Sequence, residues 1–305
     1  MPLFTGVVPP VVTPLNPDFT VDYPSFTRVI EHLLDAGVHG LFVLGSTSEV
    51  IFHDAETRRK ITEHAVKIAN GKAPVLVGTI DPTTDRVITH SRIARDAGAD
   101  AIVVTAPFYT RTNQAETIDH FRFIRDAVDL PLIAYDIPVC VNIKLARQTT
   151  VTLAREGTIA GLKDSSGDDG NLRYVIADLK DHESFFAMTG SEIVVDSALA
   201  MGAQGVVPGL GNVDPAGYVK IWNLMQAGDY AGAKAEQERL CSLFEIVRVS
   251  LERTSPGSAG VGAFKTAMQL LGVISSNTMA RPQRTLNAEE ASRIQAIVKN
   301  AGLLD

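Results

Sequence analysis

The stretch "ARDAGADAIVVTAP" (residues 94–107) holds the transition that decides the fold. A polar, helix-type run ends near Ala97, and Gly98 follows where a chain leaving a helix turns left-handed, a conformation glycine takes without strain. A compact apolar run, Ala101 to Thr105, comes next. The same joint recurs in "LLDAGVHGLFVLGS" (33–46) and "ALAMGAQGVVPGL" (198–210). Helix, glycine and buried strand in repetition predict βα units in series. Amphipathic segments lie between, as in Ala55 to Asn70, where Ile61, Ala65 and Ile68 share one helical face.

Eight strands are expected: Val7 to Val12, Gly40 to Leu44, Val75 to Ile80, Ala101 to Thr105, Leu132 to Tyr135, Ile159 to Lys163, Phe185 to Thr189 and Gly205 to Val207. Their apolar, non-alternating character suits parallel strands covered on both faces. Eight such units fit a closed (β/α)8 TIM barrel. An open doubly wound sheet would want a glycine-rich fingerprint after its first strand, and "VVTPLNPD" stands there instead. Beyond Asp214 the pattern is helical only, near 216–227, 230–253, 260–272 and 287–301. The expected organisation is a catalytic barrel over 1–227 and a C-terminal helical extension over 228–305.

The chain has 305 residues, 45% hydrophobic and 21% charged, enough for a substantial core. Its net charge of −7 is scattered, with no basic stripe for nucleic acid or an anionic membrane. Cys140 and Cys241 lie far apart with no CxxC, against a disulfide framework or structural zinc. The start, "MPLFTGVVPPVVTP", lacks a basic segment and a long apolar one, so a cytoplasmic location is expected. The histidines, among them His32, His39, His53, His64 and His90, show no HxH or HExxH spacing and are read as surface or capping residues, with no metal site.

In a barrel of this kind, chemistry gathers at the C-terminal ends of the strands. Lys163 ends one of them, in "GTIAGLKDSSGDD" (157–169). Burial at such a rim disfavours the charged form of an amine, and only the neutral amine attacks a carbonyl. Lys163 is thus a candidate for a protonated imine with a 2-keto acid; the alternative is a structural lysine paired with Asp164 or Asp168. Tyr135 ends the preceding strand, 28 residues earlier, and is placed beside Lys163 as a proton carrier. Ser46 and Thr47, in "GSTSE" (45–49), offer hydroxyls and backbone amides for a carboxylate without adding charge near the lysine. The glycines of "TGSE" (189–192) and "GLGN" (209–212) leave a phosphate-binding barrel as a second class.

"GSTSE", "TAPFY", "YDIP" and "GLKDSSGD", in this order over residues 6–215 and followed by a helical tail, resemble the dihydrodipicolinate synthase/N-acetylneuraminate lyase family of pyruvate-dependent class I aldolases. The resemblance implies a Schiff-base role for Lys163 and proton relay by Tyr135. It implies that Thr47 continues the relay, that Ser46 and Thr47 hold the pyruvate carboxylate, and that Gly190 and Val207 line the lysine's pocket. Tyr109 would reach across a tight dimer interface within a homotetramer, a dimer of dimers. Two departures stand out. Ser48 replaces a glycine of the family loop, so its backbone is either outside the left-handed region or strained. Cys140 stands where the synthases carry an arginine for the aldehyde's carboxylate.

The expected function is therefore a metal-independent carbon–carbon lyase on pyruvate or a 2-keto acid, needing no cofactor beyond the lysine imine. Retro-aldol cleavage of a 2-keto-3-deoxy sugar acid to pyruvate and an aldehyde is the first expectation. The alternatives are 4-hydroxy-tetrahydrodipicolinate (dihydrodipicolinate) synthase, a sugar-acid dehydratase using the same imine, and a catalytically silent binding module. Asp136, Val139 and Cys140 are expected to face the variable end of the substrate.

Overall fold

Every expected apolar run enters one parallel sheet: β1 (Gly6–Val7), β2 (Leu41–Val43), β3 (Val75–Gly78), β4 (Ala101–Thr105), β5 (Leu132–Asp136), β6 (Gly161–Asp164), β7 (Phe186–Thr189) and β8 (Gly205–Val206). The computed structural model describes residues 4–304, so Met1 to Leu3 and Asp305, the outer ends of the two expected segments, lie outside it. The strand order is β1-β8-β7-β6-β5-β4-β3-β2. Its two edges meet where Pro10 bridges Phe42. There the Val11 amide donates to the Phe42 carbonyl at 2.8 Å and the Phe42 amide to Pro9 at 3.0 Å. The sheet is thereby closed into the expected (β/α)8 barrel. β1 is shorter than expected, because Pro9 and Pro10 bring no amide hydrogens to a ladder.

The three repeated joints behave as the sequence predicts. Gly37, Gly98 and Gly202 have φ of 80°, 91° and 101°, each between a helix end and the next strand. Side-chain caps start the helices. Asp22 accepts from the Ser25 amide at Tyr23–Asp35, and Asn113 with Glu116 forms a capping box at Gln114–Ala127. The β5–β6 connection carries two short helices, Pro138–Val141 and Arg147–Arg155.

After β8 come helices Pro215–Gln226, Tyr230–Phe244, Pro256–Leu270 and Ala288–Asn300. The expected 230–253 segment stops at Phe244 and passes into a 3-10 turn, Glu245–Arg248. Among the described residues no helix is long and apolar enough to cross a membrane.

Position 161 sets how closely β6 approaches β7. A Cβ on Gly161 would lie 2.5 Å from the Phe186 ring, so only glycine permits the spacing that carries Lys163 to the rim.

His120 is buried, contrary to the surface or capping reading of the histidines. The reason is a polar need inside the barrel wall. Its Nε2 faces the Thr105 carbonyl at 3.2 Å and its Nδ1 the Thr84 hydroxyl at 2.9 Å. A neutral ring serves both when Nε2 donates and Nδ1 accepts. Burial pushes its pKa from 6.5 down to about 4, against the Thr105 carbonyl, which raises it. In the unfolded chain the ring protonates near 6.5, while the fold resists protonation until about 4. The stability His120 lends is therefore present above that window and lost as pH falls through it. Urea unfolding of the wild type should weaken by up to about 3 kcal/mol between these pH values, and His120→Gln should flatten that slope; an unchanged slope would remove His120 as its source.

Candidate active site

Lys163 and Tyr135 are Cα partners across β6 and β5, so their side chains emerge on the same side of the barrel. Both are buried. Lys163 Nζ stands 3.7 Å from the centroid of the Tyr135 ring and 5.1 Å from that of Phe42. The two rings meet edge to face at 6.3 Å. The carboxylates expected as alternative partners of the lysine are engaged elsewhere. Asp164 Oδ1 accepts from the Ser166 amide at 2.8 Å, and Asp168 caps the helix Asp169–Asp178 through the Asn171 amide at 2.9 Å. Among the described residues no ion pair includes Lys163. The amine thus rests on aromatic faces, with no carboxylate holding it.

The loop after β2 supplies the hydroxyls. Ser46 Oγ lies 3.1 Å from Tyr135 Oη. The residue that meets the phenol is therefore Ser46, where the relay had been expected at Thr47. The loop leaves β2 so that Ser46 turns inward, and Thr47 lines the adjoining cavity one position further along. Ser48 is not left-handed; that conformation falls on Leu44 and Glu49, with φ of 57° and 58°. Its fully buried hydroxyl instead accepts from the Gly45 amide at 3.2 Å and donates to the Val11 carbonyl at 2.5 Å. Where glycine would have supplied a turn, serine supplies a tether between the loop and the segment that follows β1.

A cavity of about 390 Å³ opens above these residues, with Ser46, Thr47, Thr105 and Cys140 on its wall. Lys163 and Tyr135 lie beneath it, joined to it through the Ser46 hydroxyl. The Cys140 thiol is raised above its ordinary pKa by desolvation, against the nearby Lys163 charge. Val139, beside it on Pro138–Val141, is 83% exposed and does not line the cavity.

Asp136 is placed otherwise than expected. It follows Tyr135 on a strand, so it faces the opposite side, where it is buried. Its Oδ2 accepts from Lys144 Nζ at 2.6 Å and its Oδ1 from the Leu145 amide at 3.1 Å. Both oxygens are occupied in holding the β5–β6 connection.

Gly190 and Val207 sit at the ends of β7 and β8, near the lysine but outside that cavity. A Cβ on Gly190 would meet Ser165 Oγ at 2.0 Å, so a side chain there would have to displace the serine hydroxyl. Val207 donates its amide to the Thr189 carbonyl at 2.8 Å. Between these strands Glu192 Oε1 accepts from the Gly209 amide at 2.9 Å. Desolvation raises the pKa of this carboxyl, opposed by the Gly209 bond and the Lys163 charge. A carboxylate already holding the glycine-loop amide disfavours a phosphate there. Tyr109 stands apart, 97% exposed with φ of 67°.

A model of the dihydrodipicolinate synthetase family matches residues 3–301. The chain belongs to that family. Members of the family are carbon–carbon lyases, and this chain is an enzyme of that kind. A 4-hydroxy-tetrahydrodipicolinate synthase from Methanoculleus marisnigri is 30% identical over 98% of this chain and all of its own. An uncharacterized DapA-like lyase from Halobacterium salinarum is 32% identical over 98% of this chain and 94% of its own. Among solved structures, YagE, an E. coli prophage protein of the dihydrodipicolinic acid synthase family in complex with pyruvate, superposes with a TM-score of 0.92 at 29% identity, covering 99% of both chains. Dihydrodipicolinate synthase from Bacteroides thetaiotaomicron gives 0.92 at 30%, covering 98% of this chain and 99% of its own.

In this family member the sequence reading passed over a buried ion pair. Glu49, the last residue of "GSTSE", meets Lys265 Nζ of the helix Pro256–Leu270 through Oε2. Its Oε1 accepts from the Ala280 amide at 2.7 Å, and Lys265 also donates to the Thr278 carbonyl at 3.0 Å. The signal was a single cation inside the small, apolar run "GSAGVGAFKTAMQL" (257–270). Burial lowers the Lys265 pKa, while the Glu49 charge opposes that shift. Removing one partner of such a pair costs about 3–5 kcal/mol, because the other charge is left buried alone. Lys265→Met should lose stability of that order by denaturant unfolding, and Glu49→Gln combined with it should recover much of the loss. Additive losses would mean that the two groups are not coupled.

Proposed function

We propose that this protein is a lysine Schiff-base lyase that takes pyruvate, or another 2-keto acid, at Lys163. The supporting observation is the in-register Tyr135–Lys163 pair, with the phenol hydroxyl against Ser46 and the amine free of carboxylates. The likeness to YagE, solved with pyruvate, supports the same substrate.

In this reading neutral Lys163 Nζ attacks the ketone carbon. Tyr135, with Ser46 behind it, hands a proton to the departing oxygen, water leaves and an iminium forms. The keto acid's carboxylate lies against Ser46 and Thr47, whose backbone amides donate to no protein acceptor among the described residues. No metal or cofactor enters the cycle. Tyr109, exposed and left-handed, is assigned to the contact with a second copy in a dimer of dimers, and the setting is cytoplasmic.

In the breakdown direction the proposed substrate is a 2-keto-3-deoxy acid, cleaved to pyruvate and an aldehyde. A second reading, 4-hydroxy-tetrahydrodipicolinate synthase, is favoured by the names of the relatives. Against it stands the cavity wall, where Cys140 takes the expected arginine's place and no Lys, Arg or His is present. Dehydration through the same imine uses the same groups.

Borohydride reduction in the presence of pyruvate should add one carboxyethyl group, pyruvate less its ketone oxygen and reduced at that carbon, to the wild type and none to Lys163→Ala; an adduct on the variant would relocate the nucleophile. Tyr135→Phe should still trap pyruvate yet turn over about 10²-fold more slowly, and an undiminished rate would remove the phenol from the relay.

A further inference from the structure

The cavity above Ser46 and Thr47 differs sharply between its floor and its far walls. Ile51, Phe52, Ile80, Phe108, Ile137 and Val261 present hydrocarbon. Among the described residues no cationic side chain lines it. Its single carboxylate, Glu49, is consumed by Lys265 and the Ala280 amide. Two of the lining residues, Thr105 and Gln283, each carry a buried polar atom without a protein partner, Thr105 Oγ1 and Gln283 Oε1. A hydroxyl donor and a carbonyl acceptor left unmet in a buried site are places where a ligand's own polar groups belong.

Resting on the Schiff-base reading, we infer that the substrate tail beyond the cleaved bond is uncharged and ends in hydrocarbon: a 2-keto-3-deoxy acid closing in a methyl or longer alkyl group. A terminal carboxylate would exchange part of its water for hydrocarbon here with no counter-charge in reach, which is unfavourable. A terminal hydroxymethyl group would exchange water for carbon neighbours. A hydroxyl nearer the reacting carbon has partners, since Thr105 can donate to it and Gln283 can accept from it.

The step conserves atoms and charge. The C4 hydroxyl gives its proton to Tyr135, which lost its own to the departing oxygen during imine formation, the C3–C4 bond breaks, and its electron pair passes into the Lys163 iminium to leave an enamine. The aldehyde departs with the alkyl end. The enamine takes a proton at C3, and water hydrolyses the imine to pyruvate and free amine.

The test runs the full-length enzyme in the condensing direction, with pyruvate and four aldehydes: lactaldehyde, propanal, glyceraldehyde and aspartate semialdehyde. Lactaldehyde and propanal should exceed glyceraldehyde in kcat/KM about tenfold or more, the scale on which an apolar pocket separates such analogues. Aspartate semialdehyde should be poorer still. Glyceraldehyde or aspartate semialdehyde reacting as well as the alkyl aldehydes would overturn the inference. Thr105→Val should narrow the preference for lactaldehyde over propanal several-fold; equal losses on both would overturn the hydroxyl's role. Borohydride trapping separates the two levels. An adduct without the alkyl preference sinks the tail alone, whereas no pyruvate adduct sinks the Schiff-base reading together with it.

Discussion

The site depends on the register between β5 and β6. Because Tyr135 and Lys163 are direct partners on parallel strands, a slip of one residue would turn one of them to the opposite face. Two further features surround the pair. Gly161 leaves room for the Phe186 ring of β7, and barrel closure at Pro10 and Phe42 brings a second ring to the lysine from across the barrel. The amine is held by the shape of the barrel, without a charge to hold it.

Carboxylates nearby have other partners, and among the described residues none forms an ion pair with it. Asp136 is neutralised by Lys144, which also reaches Ser166 at 2.8 Å. Asp164 and Asp168 serve backbone amides, and Glu192 serves Gly209. A free carboxylate beside Lys163 would favour its charged form and suppress attack on a carbonyl. Of these contacts, the Glu192–Gly209 bond joins the loops after β7 and β8, whereas those of Asp164 and Asp168 stay within their own segment.

Much of this was legible in the sequence. The glycine joints at Gly37, Gly98 and Gly202 marked the βα repeat, and strand ends marked Lys163 and Tyr135. Local pattern stopped short where a side chain's direction depends on geometry beyond its own strand. It did not single out Ser46 as the neighbour of the Tyr135 hydroxyl, because hydroxyl type alone does not say which of two adjacent residues turns inward. It gave Asp136 to the substrate, although strand alternation sends that residue away from Tyr135. His120 and Glu49 were invisible because their partners lie far along the chain or are backbone atoms of other elements.

The Glu49–Lys265 pair has a consequence for how the molecule comes into being. The loop bearing Ser46 is made early, while the ammonium and the Ala280 amide that clasp its glutamate arrive 216 and 231 positions later. During synthesis all eight strands leave the ribosome before that clasp can form. Until it does, Glu49 is drawn toward water, and the neighbouring hydroxyls lack their anchor. A chain cut short before Lys265 could therefore assemble the barrel's strands while leaving its reactive mouth loosely set, so that chemical competence is acquired last.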